Sequence, residues 1–264
     1  MIGSRYVARL PRQRVDLAYE DIGNGEPLVL IMGLGATADA WEPHVRAWSR
    51  EFRCIAVDNR GTGDSSAPVG PYSTAELAED YAELIAELRL ERVRVVGLSM
   101  GGAVAQELAL RHPRLVRRMV LVSSWARLDR HAIETFENLA AVRAQARPET
   151  FHRLLQLWIW SPGWFSQHAE ELARPPTGPL MSQPAFAAQV AACVAHDTLD
   201  RLAAIRIPTL ITAGTQDLFT PVPYAQGLAA GIPDARLEIF DGLGHTHHWE
   251  ALDPFNELVE GWLR

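Results

Sequence analysis

Two hydrophobic rhythms alternate along the chain. Short runs rich in Val, Ile and Leu at residues 15–20, 28–32, 54–58, 93–97, 118–123, 209–214 and 236–240 read as strands. The later runs are continuously apolar, as strands covered on both faces must be. Helical spacing between them predicts helices over residues 38–50, 74–88 and 103–111. Thr74, followed by Glu76 and Leu77, is placed at a helix N-cap, and Pro113 stops the third helix. Strands that alternate with helices predict an α/β protein with a parallel sheet covered by helices.

The alternation breaks between about residues 127 and 202, where the pattern becomes almost wholly helical, with interruptions at Pro148, Pro162 and Pro175-Pro176. This predicts a core made of residues 1–126 and 202–264, with a helical lid at 127–201 inserted in it. Trp158, Trp160, Trp164 and Phe165 crowd into a few positions of the insert. Large aromatics there either pack the insert onto the core or line an apolar pocket. Trp158, Trp160 and Trp164, with Trp125 just after the strand at 118–123, are the substrate-binding candidates.

A chain of 264 residues, 48% hydrophobic and 22% charged, suits one compact catalytic unit rather than a disordered polymer. The net charge of -7 and the scattered arginines argue against nucleic acid as a partner. All 25 basic residues are arginine, which excludes chemistry that needs a lysine amine. Cys54 and Cys193 lie in apolar surroundings, far from any metal or redox spacing, and are expected to be buried. No apolar run is long enough to span a bilayer, and residues 1–14 lack the apolar core of a signal peptide, so a cytoplasmic location is expected. The sequence leaves a homodimer open.

The chemistry centres on Gly97-Leu98-Ser99-Met100-Gly101, which directly follows one predicted strand and directly precedes a predicted helix. In that context G-x-S-x-G is a nucleophile elbow: small residues allow a sharp turn that presents the serine at a helix N-terminus, where amides favour negative charge. Ser99 is therefore the candidate nucleophile. A serine hydroxyl needs a base, itself oriented by a third group. His245 follows the strand at 236–240 through the glycine-rich Asp241-Gly242-Leu243-Gly244 and is the candidate base. The run His245-x-His247-His248 has no carboxylate or cysteine at ligand spacing, so no metal is assigned. Asp217, on the loop after the strand at 209–214, is preferred as the orienting acid over Asp241, which is placed as a turn cap. The developing oxyanion needs two preorganised donors, assigned to the backbone N–H groups of Met100 and of Leu34 in Gly33-Leu34-Gly35.

These segments resemble the α/β-hydrolase superfamily over nearly the whole chain outside the insert. The matching pieces are the loop Gly33-Leu34-Gly35, the turn from Asp58 to Ser65, the elbow, the acid loop from Gly214 to Pro221, and Gly244-His245 with Glu250, Pro254 and Asn256 behind it. The chain departs from the common pattern at Met32, where many members carry histidine, and in the bulky run His247-His248-Trp249. The resemblance is nearest to 3-oxoadipate enol-lactonase-like bacterial esterases. It implies an α/β-hydrolase fold, a mostly parallel central sheet flanked by helices with a helical lid after the sixth strand, and a cofactor-free serine hydrolase of the esterase or lactonase type acting on a small, largely apolar molecule. A carbon–carbon bond hydrolase, a biosynthetic thioesterase or cyclase, and a non-catalytic hydrolase-fold binding protein share the same framework. A haloalkane dehalogenase is disfavoured, because that chemistry resembles this fold with a carboxylate where Ser99 stands.

Overall fold

The computed structural model describes residues 4–174 and 181–264. Eight strands form one sheet: β1 Ser4–Leu10, β2 Val15–Ile22, β3 Glu26–Ile31, β4 Phe52–Val57, β5 Val93–Leu98, β6 Val116–Val122, β7 Thr209–Gly214 and β8 Ala235–Phe240. Their order is β1-β2-β4-β3-β5-β6-β7-β8. β2 runs antiparallel to β1 and β4, and every pair from β4 to β8 is parallel.

Period-two alternation explains why the central runs are apolar throughout. Val93 and Val95 of β5 join one core cluster while Val96 and Leu98 join the other, and β3 divides the same way, Val29 and Ile31 against Leu28 and Leu30. Both faces must be covered by helices. α2 Thr74–Glu87, α3 Met100–Arg111 and α8 Val222–Gly231 contribute to the first cluster, and α1 Glu42–Trp48 and α10 Leu252–Leu263 to the second. Each such side chain taken fully from water is worth about 1.5–3 kcal/mol.

Residues 127–201 supply α4 Arg130–Gln145, α5 Pro148–Ile159, α6 Pro162–Leu172 and α7 Gln183–Ala195. Pro148 and Pro162 stand at the first position of α5 and α6, where a missing N–H costs nothing. Pro175-Pro176 lies outside the described residues. The short helix α9 His247–Glu250 completes the set. Among the described residues no helix is long and apolar enough to cross a membrane.

Three details differ from the sequence reading. β1 was not expected: only Ala8 and Leu10 of this edge strand are buried, so it carries almost no apolar pattern, and its pairing with β2 defines it. Counting it makes Val116–Val122 the sixth strand, the one that precedes the helical segment. The helix expected from residue 38 opens as a 3₁₀ turn, Ala38–Trp41, before α1. The cap of α2 is Ser73 rather than Thr74. Ser73 Oγ accepts from Glu76 N at 3.1 Å and donates to Glu76 Oε2 at 2.8 Å, whereas Thr74 is buried against His196.

Candidate active site

The parallel strands bring their carboxyl ends to one edge of the sheet, the usual place for a ligand crevice in such folds. Gly33 follows β3, Ser99 follows β5, Asp217 follows β7 and His245 follows β8. Ser99 has φ 55° and ψ -117°, a left-handed backbone that a non-glycine residue holds only under constraint. The constraint is visible. Ser99 N donates to Val122 O at 2.8 Å, and Ser99 O accepts from Gly102 N at 2.9 Å, Ala103 N at 3.2 Å and Ser124 Oγ at 3.0 Å. Gly97 is required at the base of the turn, since a Cβ there would lie 2.3 Å from Gly101 O.

His245 Nδ1 lies 2.8 Å from Asp217 Oδ2, and a carboxylate accepts, so Nδ1 carries a proton and donates it to the acid. Asp217 is itself saturated: Oδ1 accepts from the amides of Phe219 and Thr220, each at 2.8 Å, and Oδ2 from Thr220 Oγ1 at 2.7 Å. Burial alone would push this carboxyl up. The charge and hydrogen bond of His245 and the Thr220 donors outweigh it and hold Asp217 at about 2. Asp241 is exposed and takes a hydrogen bond from Thr215 Oγ1 at 3.1 Å, which pins its own loop.

Ser99 and His245 line one cavity of about 280 Å³. Its wall comes from both parts of the chain: Met32, Leu34, Leu98 and Phe219 from the sheet side, and Phe136, Leu139, Leu155, Ile159 and Trp160 from the helical segment. No Asp, Glu or Arg is among the described residues that line it. His248, also in the wall, is kept neutral because burial holds it well below the ordinary histidine range. Among the described residues, neither the Leu34 nor the Met100 amide donates to a protein group, while the next amide, Gly35 N, donates to Gln189 Oε1 at 2.9 Å.

Of the four candidate tryptophans, only Trp160 borders this cavity. Trp125 is fully buried and packs on Phe136 and His196. Trp158 packs on Phe219 and faces a neighbouring groove with His131 and Leu154. Trp164 stacks between Trp160 and His168. Trp249, marked in the sequence as part of a bulky run but not as a substrate-binding candidate, does border the cavity and is fastened by Nε1 to Ala40 O at 3.2 Å. His247 and His248 are buried in aromatic packing around Phe255, and His247 Nε2 meets Thr212 Oγ1 at 2.9 Å.

Four supporting residues also escaped sequence reading. Gln189 bridges Gly35 N to Arg60 O, donating Nε2 at 2.9 Å. Asn59 Nδ2 donates to Met32 O at 2.9 Å at the start of the Gly33 loop. Ser123 Oγ donates to His245 O at 2.9 Å, and Thr220 holds Asp217. Gln189 had a readable signal, a lone amide in the apolar run Ala185-Phe186-Ala187-Ala188-Gln189-Val190, since a polar group buried there must find a partner.

Known proteins agree with this architecture. The chain is 33% identical to the "Putative carbamate hydrolase RutD" of Azorhizobium caulinodans, with 94% of each protein covered. It is 32% identical to the protein of the same name from Variovorax paradoxus, over 94% of this chain and 96% of that one. Among solved structures, a hydrolase from Pseudomonas aeruginosa superposes with TM-score 0.89 at 30% identity, covering 100% of this chain and 99% of the other. The enol-lactonase of Burkholderia xenovorans does so with TM-score 0.90 at 27% identity, covering 98% and 99%. The α/β hydrolase fold family matches residues 26–252, nearly the whole span from β3 to α10, and the chain belongs to that family.

Proposed function

We propose that the protein is a serine hydrolase that cleaves a carboxylic ester or lactone of a small, largely apolar substrate through an acyl-enzyme. The observation that carries this reading is the buried His245–Asp217 pair at 2.8 Å, opening on the same uncharged cavity as Ser99. Ser99 Oγ attacks the carbonyl carbon while His245 Nε2 takes its proton. The proton then passes to the leaving alkoxide, and water repeats the sequence to free the acid. Asp217 keeps Nδ1 protonated and stabilises the imidazolium. The amides of Leu34 and Met100 face the oxyanion; their lack of an acceptor among the described residues supports that role.

Residues 127–201 serve as the lid of this cavity and supply its substrate-facing wall through Phe136, Leu139, Leu155, Ile159 and Trp160. The names of the relatives favour a second reading, hydrolysis of a carbamate through the same acyl step. The uncharged, aromatic-rich wall weighs toward an ester with an apolar acyl or alcohol part.

The test is labelling by a fluorophosphonate probe with intact-mass detection, on the wild type and Ser99→Ala, followed by p-nitrophenyl esters, lactones and an aryl carbamate. One adduct lost in the variant, with ester or lactone turnover above carbamate turnover, is the expected result. A preference for the carbamate selects the second reading, and a folded wild type that takes no adduct ends the serine hydrolase reading.

A further inference from the structure

Glu250 ends α9, five residues past His245, and among the described residues its carboxylate accepts from neutral donors alone. Oε1 accepts from Ser161 N at 3.2 Å and Gly244 N at 3.0 Å, and Oε2 accepts from Ser161 Oγ. Ser161 belongs to the helical segment, at the joint between α5 and α6, whereas Gly244 and Thr246 flank His245. One carboxylate thus ties the joint of the segment to the loop that carries the base.

Two further observations stiffen the same junction. Thr246 donates twice to Ile159 O, from N at 3.1 Å and from Oγ1 at 2.9 Å. Gly244 has no room for a side chain: a Cβ there would stand 2.6 Å from Ser161 N, 2.7 Å from Ile159 O and 2.9 Å from Glu250 Oε1. On the opposite side, Ser123 Oγ holds His245 O at 2.9 Å. The His245 loop is therefore gripped between the sheet and residues 159–161. Trp160, the middle residue of that grip, borders the cavity.

We propose that Glu250 is a positioning residue that locks the His245 loop to the Ile159–Ser161 joint, so that the wall receiving the apolar part of the substrate and the position of the base are set together. This rests on the reading of His245 as general base. A carboxylate offers acceptors to all these donors. A glutamine keeps one acceptor oxygen for the two amides, and the Ser161 hydroxyl can turn to accept from its NH₂, whereas alanine leaves the donors unmet. A shift of the base by about 1 Å costs on the order of 100-fold in rate.

The experiment compares wild type, Glu250→Ala, Glu250→Gln and Ser161→Ala by steady-state ester hydrolysis, thermal melting and the low-field proton resonance of His245 Nδ1–H. Glu250→Ala is expected to lower kcat by about 10- to 100-fold with KM within about twofold, and to broaden or shift that resonance; Glu250→Gln restores both to within about threefold of wild type. Unchanged kcat and resonance in Glu250→Ala, or a loss confined to melting temperature or KM, overturns the proposal. Should Glu250→Ala not accumulate as folded protein, Ser161→Ala decides on the same readouts. It also removes the α6 cap, made by Ser161 Oγ accepting from Trp164 N at 3.3 Å, and a purely capping loss would move stability but not kcat. A wild type that hydrolyses neither ester, lactone nor carbamate is a failure of the triad reading instead. The Nδ1–H resonance then still reports whether Glu250 holds the loop.

Discussion

The strands at the centre of the sheet and the helices α5 and α6 are built on opposite terms. β5 and β7 bury every residue, while α6 buries none and α5 buries only Phe151 and Gln156. Packing on two faces leaves a strand one position, so the groups at its end inherit a fixed geometry. A helix held along one stripe keeps its outer face free to vary. The difference teaches that the candidate reacting groups and the helical part of the cavity wall sit in regions of unequal burial, with the Glu250 junction between them.

The largest effect that would sharpen this contrast is chemical. Asp217→Asn is expected to reduce kcat by about 10³–10⁴-fold, because the wrong imidazole tautomer faces Ser99. Circular dichroism at neutral pH should remain native, and steady-state kinetics on a p-nitrophenyl ester measure the loss.

Next in size is the response to acid, to which both regions contribute. His44 packs between α1 and α10 on the sheet side, and His196 ends α7 of the segment. Burial drives each down from 6.5 to about 4, only partly opposed by Asn256 for His44 and by Glu107 for His196. The unfolded chain binds these protons first, so the stability they contribute is complete above about 6.5 and is lost as the pH falls toward 4. Each histidine is worth about 3 kcal/mol over that interval. Urea melts at pH 7, 6, 5 and 4 should show it, and a flat profile would remove the histidines from the account.

Two glycine substitutions break the comparison most directly. Gly97→Ala drives a methyl group into Gly101 O at 2.3 Å, and overpacking against backbone is expected to cost about 1–3 kcal/mol with loss of activity. Gly163→Ala, in the first turn of α6, meets nothing within 4 Å and should be neutral or stabilising by up to about 1 kcal/mol, read as a small rise in melting temperature. Equal costs at both sites would show that the segment is as tightly packed as the sheet.

Much of this was legible before any coordinates. Ser99, Asp217 and His245 could be picked out because each sits just past an apolar run, and a parallel sheet sends all such loops to one edge. The interruptions expected at Pro148 and Pro162 fall at the first positions of α5 and α6, where a residue without an N–H is tolerated. The edge strand β1 was invisible because an edge in water needs no apolar run, and Ser73 was passed over because a cap is decided by backbone angles, not composition.

The sequence by itself therefore determined the layered α/β plan, the succession of strands from β2 to β8, and which side chains follow the strands' carboxyl ends, because these follow from local periodicity and chain direction. Only the tertiary structure decided which of the tryptophans reaches the cavity, that His247 and His248 pack among aromatics, and that Glu250 meets Ser161 across 89 positions of chain. Those outcomes depend on which helix face turns inward and on the registration of distant loops. No short-range pattern encodes either, because the partners are chosen by shape only after the sheet and helices have closed on one another.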